Sequence, residues 1–371
     1  MAKKGYIGIS GKARKIKKAY LGISSKARKI KKAYIGIGGV ARPCWTGGEL
    51  SNYGSVTALS QPRGYLAAAS VGDYALFAGG AAGSSDMKQR IVDAYNTSLV
   101  RSTPTSLSVD KSNLSGASVG NYALFAGGKT STAVVNAYNA SLTRSNPTAL
   151  SKARYDIAGI KIGNYALFAG GADGGTSSDQ LTVVDAYNAS LTRSTPTALS
   201  AKKSNAGAAV AGNYAVIGGG GYGTNTVPNN SVDAYDASLT KTTATALSNS
   251  RYIPKAASAG NYALFAGTKL RTASSDFNVV DAYDSSLTRT TPMELSYNRA
   301  TQAGGSIWEY AVFVNDTNVA NYYDSSLTRG VISGVGTRTD FVSAAVGDYL
   351  LFGGGYGSDD YTADVDAYAV L

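Results

Sequence analysis

The sequence predicts an all-β fold, a seven-bladed propeller of four-stranded blades carried behind a basic N-terminal tail, and three observations predict it. Two tyrosine landmarks each recur seven times. One is in GNYALFAGG and its variants, at Tyr74, Tyr122, Tyr165, Tyr214, Tyr262, Tyr310 and Tyr349. The other closes VDAY and its variants, at Tyr95, Tyr138, Tyr187, Tyr235, Tyr283, Tyr323 and Tyr368. From the second landmark to the next first one the spacing is 27 residues five times and then 26, whereas from first to second it ranges from 13 to 22. All length variation therefore sits in one connection per repeat. The composition, with 44 Gly and 26 Tyr but only 8 Pro in 371 residues, suits short strands joined by tight turns. A period of 39 to 49 residues built from short apolar runs marks a repeat array rather than separate domains.

The third repeat shows the elements in order. YDIAGIKI alternates as a first strand, Gly163-Asn164 is a two-residue hairpin turn, and YALFAGG is a second strand. A variable loop leads to a third strand, LTVVDAY, then a short NAS turn and a fourth strand within LTRSTPTALS. The turn dipeptide recurs as Gly72-Asp73, Gly120-Asn121, Gly212-Asn213, Gly260-Asn261 and Gly347-Asp348, and Trp308-Glu309 replaces it in repeat six without turn chemistry. Three residues after each first landmark stand Phe77, Phe125, Phe168, Ile217, Phe265, Phe313 and Phe352, read as packing between blades.

Ring closure follows from what is missing. The seventh repeat ends at VDAYAVL without a fourth strand, and Thr57-Ala58-Leu59-Ser60 matches Thr148-Ala149-Leu150-Ser151 in spacing and type. Residues 52–60 are therefore expected to supply the outer strand of the last blade. The chain divides into a tail, 1–46, and the propeller, 47–371.

Strand alternation puts the variable 2–3 loops and the start of each innermost strand on one face, and both chain ends on the other. Loops of differing chemistry on a uniform scaffold are a usual place for binding. A basic residue stands 11 before each first landmark: Arg63, Lys111, Arg154, Lys203, Arg251, Arg299 and Arg338. Two readings stand: a ring at the channel mouth for acidic glycans or a partner's carboxylates, or internal bonds to carbonyls and the Asp of the same blade.

The tail repeats every 14 residues, as YIGISGKARKIKKA, YLGISSKARKIKKA and YIGIGGVARPCW. Tyr6, Tyr20 and Tyr34, with Arg14, Arg28 and Arg42, recur in register and are the candidate docking residues. ARKIKKAY fits a helical stripe, while the recurrent Gly and the alternating YIGI fit short β segments ordered by assembly with other copies or a partner; a disordered basic tail is the third reading. Residues 1–43 hold 13 Lys and Arg and no acid, so 22 basic and 24 acidic residues remain; the tail carries +13, the rest −2, and the total is +11. The basic character thus belongs to the tail, which could bind a polyanion; the propeller is not expected to bind nucleic acid. No run of 18 apolar residues exists and the start lacks a signal-peptide core, so neither a membrane span nor secretion is expected.

The sequence has no His, which removes the commonest general base and the Ser-His-Asp arrangement. Its single Cys44 has no metal-ligand spacing, no calcium loop is present, and no GxxxxGK[ST] follows a strand. No enzyme, no metal and no cofactor are expected.

The glycine pairs closing strand two (Gly79-Gly80, Gly127-Gly128, Gly170-Gly171, Gly353-Gly354), the following VDAY and the basic residue before strand one make the repeat resemble the Kelch repeat. The usual Kelch Trp of strand four is Leu here, at Leu99, Leu142, Leu191, Leu239, Leu287 and Leu327. The tail repeats and the GGVARPCW junction resemble a group of propeller proteins of tailed phages and prophages of Gram-positive bacteria. That resemblance implies a virion or tail-associated protein, assembled in the host cytoplasm, docked to other virion proteins by its tail. It also implies possible self-association, and a host-surface glycan or protein as ligand of the 2–3 loops. A purely structural or decoration subunit is the alternative.

Overall fold

In the computed structural model each repeat forms one antiparallel sheet, and seven four-stranded sheets follow one another along the chain. The structure describes residues 6–9, 12–15, 19–23, 26–30, 32–37, 40–46, 49–83, 85, 87–129, 132–174, 179–221, 229–267, 278–298 and 300–370. Blade three has strands Ala158–Ile162, Tyr165–Ala169, Val184–Asn188 and Arg193–Ser194, paired in that order. Gly163 takes φ +51°, as its hairpin requires, and the same holds at the other Gly-Asn and Gly-Asp turns. Trp308 adopts this φ too, at +51°, so repeat six keeps its hairpin without glycine. Its side chain packs on the core between blades six and seven.

Strand four differs from the expectation in length, and proline explains why. Where the sequence runs Arg-x-x-Pro, at Pro104, Pro147, Pro196 and Pro292, the strand is only two residues long, as at Arg101–Ser102. Without that Pro it lengthens to Lys241–Ala244 and Arg329–Ser333. Proline offers no N–H to the ladder and ends the pairing. The Leu set is also displaced. Leu99, Leu142, Leu191, Leu239, Leu287 and Leu327 lie in the turn before strand four, at φ between +60° and +64°. The preceding Asn or Asp holds that turn: Asn96 Oδ1 accepts from the N–H groups of Ser98 (3.0 Å) and Val100 (2.9 Å).

The core lies between blades. The Phe of strand two and the Tyr of VDAY meet edge to face within a blade, as in Phe77–Tyr95 at 5.8 Å and Phe168–Tyr187 at 6.0 Å. That pair then packs on the aliphatic face of the preceding blade. Phe125 and Tyr138 lie against Leu76, Val92 and Leu107, and Phe77 and Tyr95 lie against Leu351 and Val365 of blade seven. Each blade seals its neighbour, and the last seals the first.

The glycine pair makes a second joint. The second Gly donates its N–H to the carbonyl of the next blade's basic residue: Gly80 to Lys111 (2.9 Å), Gly128 to Arg154 (3.0 Å), and Gly355 to Arg63 (2.9 Å) across the ring closure. A Cβ on Gly79 would stand 2.7 Å from the Lys111 oxygen, so glycine is required there. In blade seven the pair is Gly354-Gly355, one residue later than the sequence reading placed it, because Gly353 still belongs to the strand.

The outer strand of blade seven is Leu50–Val56, antiparallel to Val365–Val370 with a bulge between Ala367 and Tyr368. It starts two residues before the expected 52–60 and ends sooner, since the Thr57-Ala58-Leu59 stretch turns inward. There the Leu59 N–H bonds the Ala363 carbonyl at 2.8 Å, and the Tyr95 hydroxyl bonds the Thr57 carbonyl at 2.8 Å. Leu59 is buried among Leu66, Leu351 and Val365. Val56 pairs with Val365 at the loop face and Leu50 with Val370 at the opposite face, so the propeller's first strand begins and its last strand ends on the face away from the 2–3 loops.

The described tail residues are strands, which removes the helical reading. Tyr6–Ile9 pairs with Lys12–Lys15, Ala19–Ile23 with Lys26–Ile30, and Lys32–Ile37 with Val40–Thr46, as three separate two-stranded sheets. The register repeats: Ile7 opposes Arg14, Leu21 opposes Arg28 and Ile35 opposes Arg42. Tyr6, Tyr20 and Tyr34 occupy equivalent strand positions.

Candidate functional site at the channel mouth

The basic ring comes first, and the structure places it inside the blades. Arg63, Lys111, Arg154, Lys203, Arg251 and Arg338 are at most 4% exposed. Arg63 bonds Asp93 at 2.6 Å, Arg154 Asp185 at 2.8 Å, Arg251 Asp281 at 2.5 Å, Arg338 Asp366 at 2.8 Å, and Lys203 stands 3.6 Å from Asp233. Most also reach the carbonyl of the central Phe, as Arg154 does to Phe168 at 3.0 Å. The anion-binding reading is therefore corrected: these cations are desolvated and already matched by carboxylates or carbonyls, so they cannot serve a ligand. Arg299 lies outside the described residues.

Each VDAY carboxylate is the hub of its blade. Asp281 accepts from Ser248 N–H and Oγ (3.2 and 3.0 Å), Arg251 (2.5 Å) and Arg289 (3.4 Å). In blade two the hub is Asn136, and Lys111 bonds only carbonyls, of Phe125 (3.3 Å) and Val134 (3.1 Å). Burial without a carboxylate partner lowers the Lys111 ammonium from 10.5 to about 7. The unfolded chain then binds the proton more tightly between about 7 and 10.5, so stability rises with pH across that window. The burial cost is fully present below about 7. At roughly 1.36 kcal/mol per unit the cost is about 5 kcal/mol, against about 2 for two carbonyl bonds. Lys111→Met is thus expected to be more stable than wild type by about 3 kcal/mol near pH 6 and less stable by about 2 above pH 10.5. Denaturant melts across pH read this; parallel profiles for the two chains would contradict it.

The polar groups that do face the channel stand two residues further on, nine before five of the seven first landmarks. Tyr65, Asn113, Asp156, Asn205 and Asp340 all have left-handed φ, between +52° and +54°. Their backbones form a chain around the mouth. Tyr65 N–H bonds the Asp340 carbonyl (3.3 Å), Asn113 bonds Tyr65 (2.9 Å), Asp156 bonds Asn113 (3.1 Å) and Asn205 bonds Asp156 (2.9 Å). Asn and Asp suit such φ. At Ile253 the pattern stops, because a β-branched residue before Pro254 resists it.

Asp156 is held between two carboxamides: Asn113 Nδ2 donates to Oδ1 and Asn205 Nδ2 to Oδ2, both at 3.0 Å. Burial raises its carboxyl pKa, and the two amides with Lys129 and Lys255 pull it back. The cavity inside this ring measures about 510 Å³ and is floored by the small inner-strand residues Ala68, Gly116, Gly159, Ala208, Ala256 and Gly304. It opens on the face of the variable loops. These groups are not among the residues expected from the sequence, although a position alternating Asn and Asp before a strand is a readable turn signal.

Of the variable loops, the first folds back as Ala81–Ala82 against Met87–Lys88. In the seventh, Tyr356 bridges both Thr339 and Tyr361. Residues 175–178, 222–228 and 268–277 of the other loops lie outside the described residues. Among the described residues no cluster of three His, Cys, Asp or Glu could hold a metal ion, and no helix is long and apolar enough to cross a membrane.

No protein-family model matches the sequence, and no curated protein matches it. Solved structures with the same fold include YjhT, with 11% identity, TM-score 0.55, and coverage of 84% of this chain and 96% of that one. They also include selenomethionine-substituted virginiamycin B lyase from Staphylococcus aureus, with 11% identity, TM-score 0.60, and coverage of 87% and 100%. The likeness shows the fold alone. It still corrects the expectation that the chain is not an enzyme to this extent: one of these propellers is a lyase, so the architecture itself does not exclude an enzyme.

Proposed function

We propose that the chain is a virion-associated propeller that docks through residues 1–46 and binds a host-surface component on its loop face. One observation carries this. Loop length varies only around the channel mouth, while the propeller's first strand begins, at Leu50, and its last strand ends, at Val370, on the opposite face. A particle subunit anchored by its tail would turn that mouth outward. The resemblance of the tail repeats to phage-encoded propellers supports the particle setting. The experiment is adsorption to host cells by particles whose 2–3 loops are cut to the length found in blade two. Adsorption is expected to fall, and unchanged adsorption would contradict the binding role.

A further inference from the structure

The channel mouth joins three features that a sugar ring uses together. Its volume of about 510 Å³ lies within the range of small-ligand sites. Its wall is rich in acceptors. Asn113 and Asn205 each give one Nδ2 hydrogen to Asp156, which places both Oδ1 acceptors beside the carboxylate, and Asp340 lines the same cavity. Its rim is aromatic. Tyr65 is 38% exposed, its ring stands edge-on to Tyr361 at 6.4 Å, and Tyr361 meets Tyr356, 40% exposed, at 5.3 Å. Tyr356 and Tyr361 belong to the seventh variable loop, so the rim links that loop to the channel.

We infer that the channel mouth binds one uncharged hexose or N-acetylhexosamine unit of a surface glycan, its hydroxyls donating to Asp156, Asn113 and Asn205 and its apolar face covered by Tyr65. Charge selects the class. Two carboxylates, Asp156 and Asp340, face the cavity against one lining cation, Lys255, with Lys129 also acting on Asp156, so the mouth offers no net positive charge to hold an acidic sugar, and a neutral polyol is favoured. The two carboxylates and the two Asn Oδ1 atoms suit a ligand whose hydroxyls arrive as donors. The small floor residues leave room for the ring instead of filling the channel with side chains.

This site rests on the reading that the loop face binds a surface component, and it can fail separately. The probes are methyl glycosides of glucose, galactose and N-acetylglucosamine, titrated into the full chain with ligand-observed NMR. At least one is expected to bind with a roughly millimolar Kd. Asp156→Asn keeps the shape and removes the charge, and should weaken binding about tenfold, the worth of one charge-assisted hydrogen bond. Tyr65→Ala is the second variant and should weaken it several-fold through a different contact. The inference is overturned if no glycoside binds, if both variants bind as wild type does, or if binding vanishes on chelating calcium, since the acceptors would then hold a cation. Loss of adsorption on loop trimming with no glycoside bound would sink this site and leave the loop-face reading standing.

Discussion

Removing residues 1–61 is expected to lower the melting temperature by roughly 10 °C or more, whereas removing residues 1–46 leaves it within about 2 °C of the full chain. The shorter cut spares Leu50–Val56 and the turn that follows. The longer one strips every hydrogen bond that strand makes to Val365–Val370 and exposes an edge. It also removes two buried leucines, Leu50 and Leu59, at about 2–5 kcal/mol each. Arg63 sits just beyond the cut and would lose the bonded carbonyl of Gln61 as well. Because Phe77 and Tyr95 of blade one pack on Leu351 and Val365 of blade seven, loosening blade seven loosens blade one. Equal melting of the two truncations would mean that the ring closes without this clasp.

Asp281→Asn is the second large effect, expected to cost about 3–5 kcal/mol. The carboxylate lies fully buried and compensates Arg251, itself 1% exposed, while Arg289 reaches it from strand four. An amide leaves a buried guanidinium that cannot discharge near neutral pH. Blade two shows how the fold lives without the carboxylate: it carries Asn136 together with Lys111, and a lysine can give up its proton. Adding R251K to D281N, which copies that pair, should therefore recover part of the loss above pH 7. Urea melts at pH 8 measure both variants. A single variant as stable as wild type would show that the hub adds nothing to stability.

Much of the architecture was legible because it is repeated chemistry. The landmark tyrosines, the Gly-Asn turns and the unfinished seventh repeat sufficed for blade number, strand order and closure. Details failed where two physical signals compete at one residue. Leu191 and its equivalents are apolar, which suggests strand, yet an Asx turn holds them at left-handed φ. Pro196 was in plain view, and its missing N–H shortens the outer strand by itself. The basic residues look like a ligand site because they are charged, but in most described blades the partner that matches them is the Asp of VDAY, about 30 residues away in blades such as one and five. The channel-mouth set is not legible in the sequence because Asn113, Asp156 and Asn205 are separated by more than 40 residues each and meet only when successive blades pack side by side. Loop shape was not legible, since the loops share no motif.

Adsorption of particles to host cells tests the central claim most directly, with the loop face and the opposite face altered separately. Particles whose chains carry trimmed 2–3 loops should adsorb several-fold less, and particles altered in the 3–4 turns of the opposite face should adsorb normally. Equal adsorption by both, or loss only with the opposite face, would contradict the assignment of binding to the channel-mouth side.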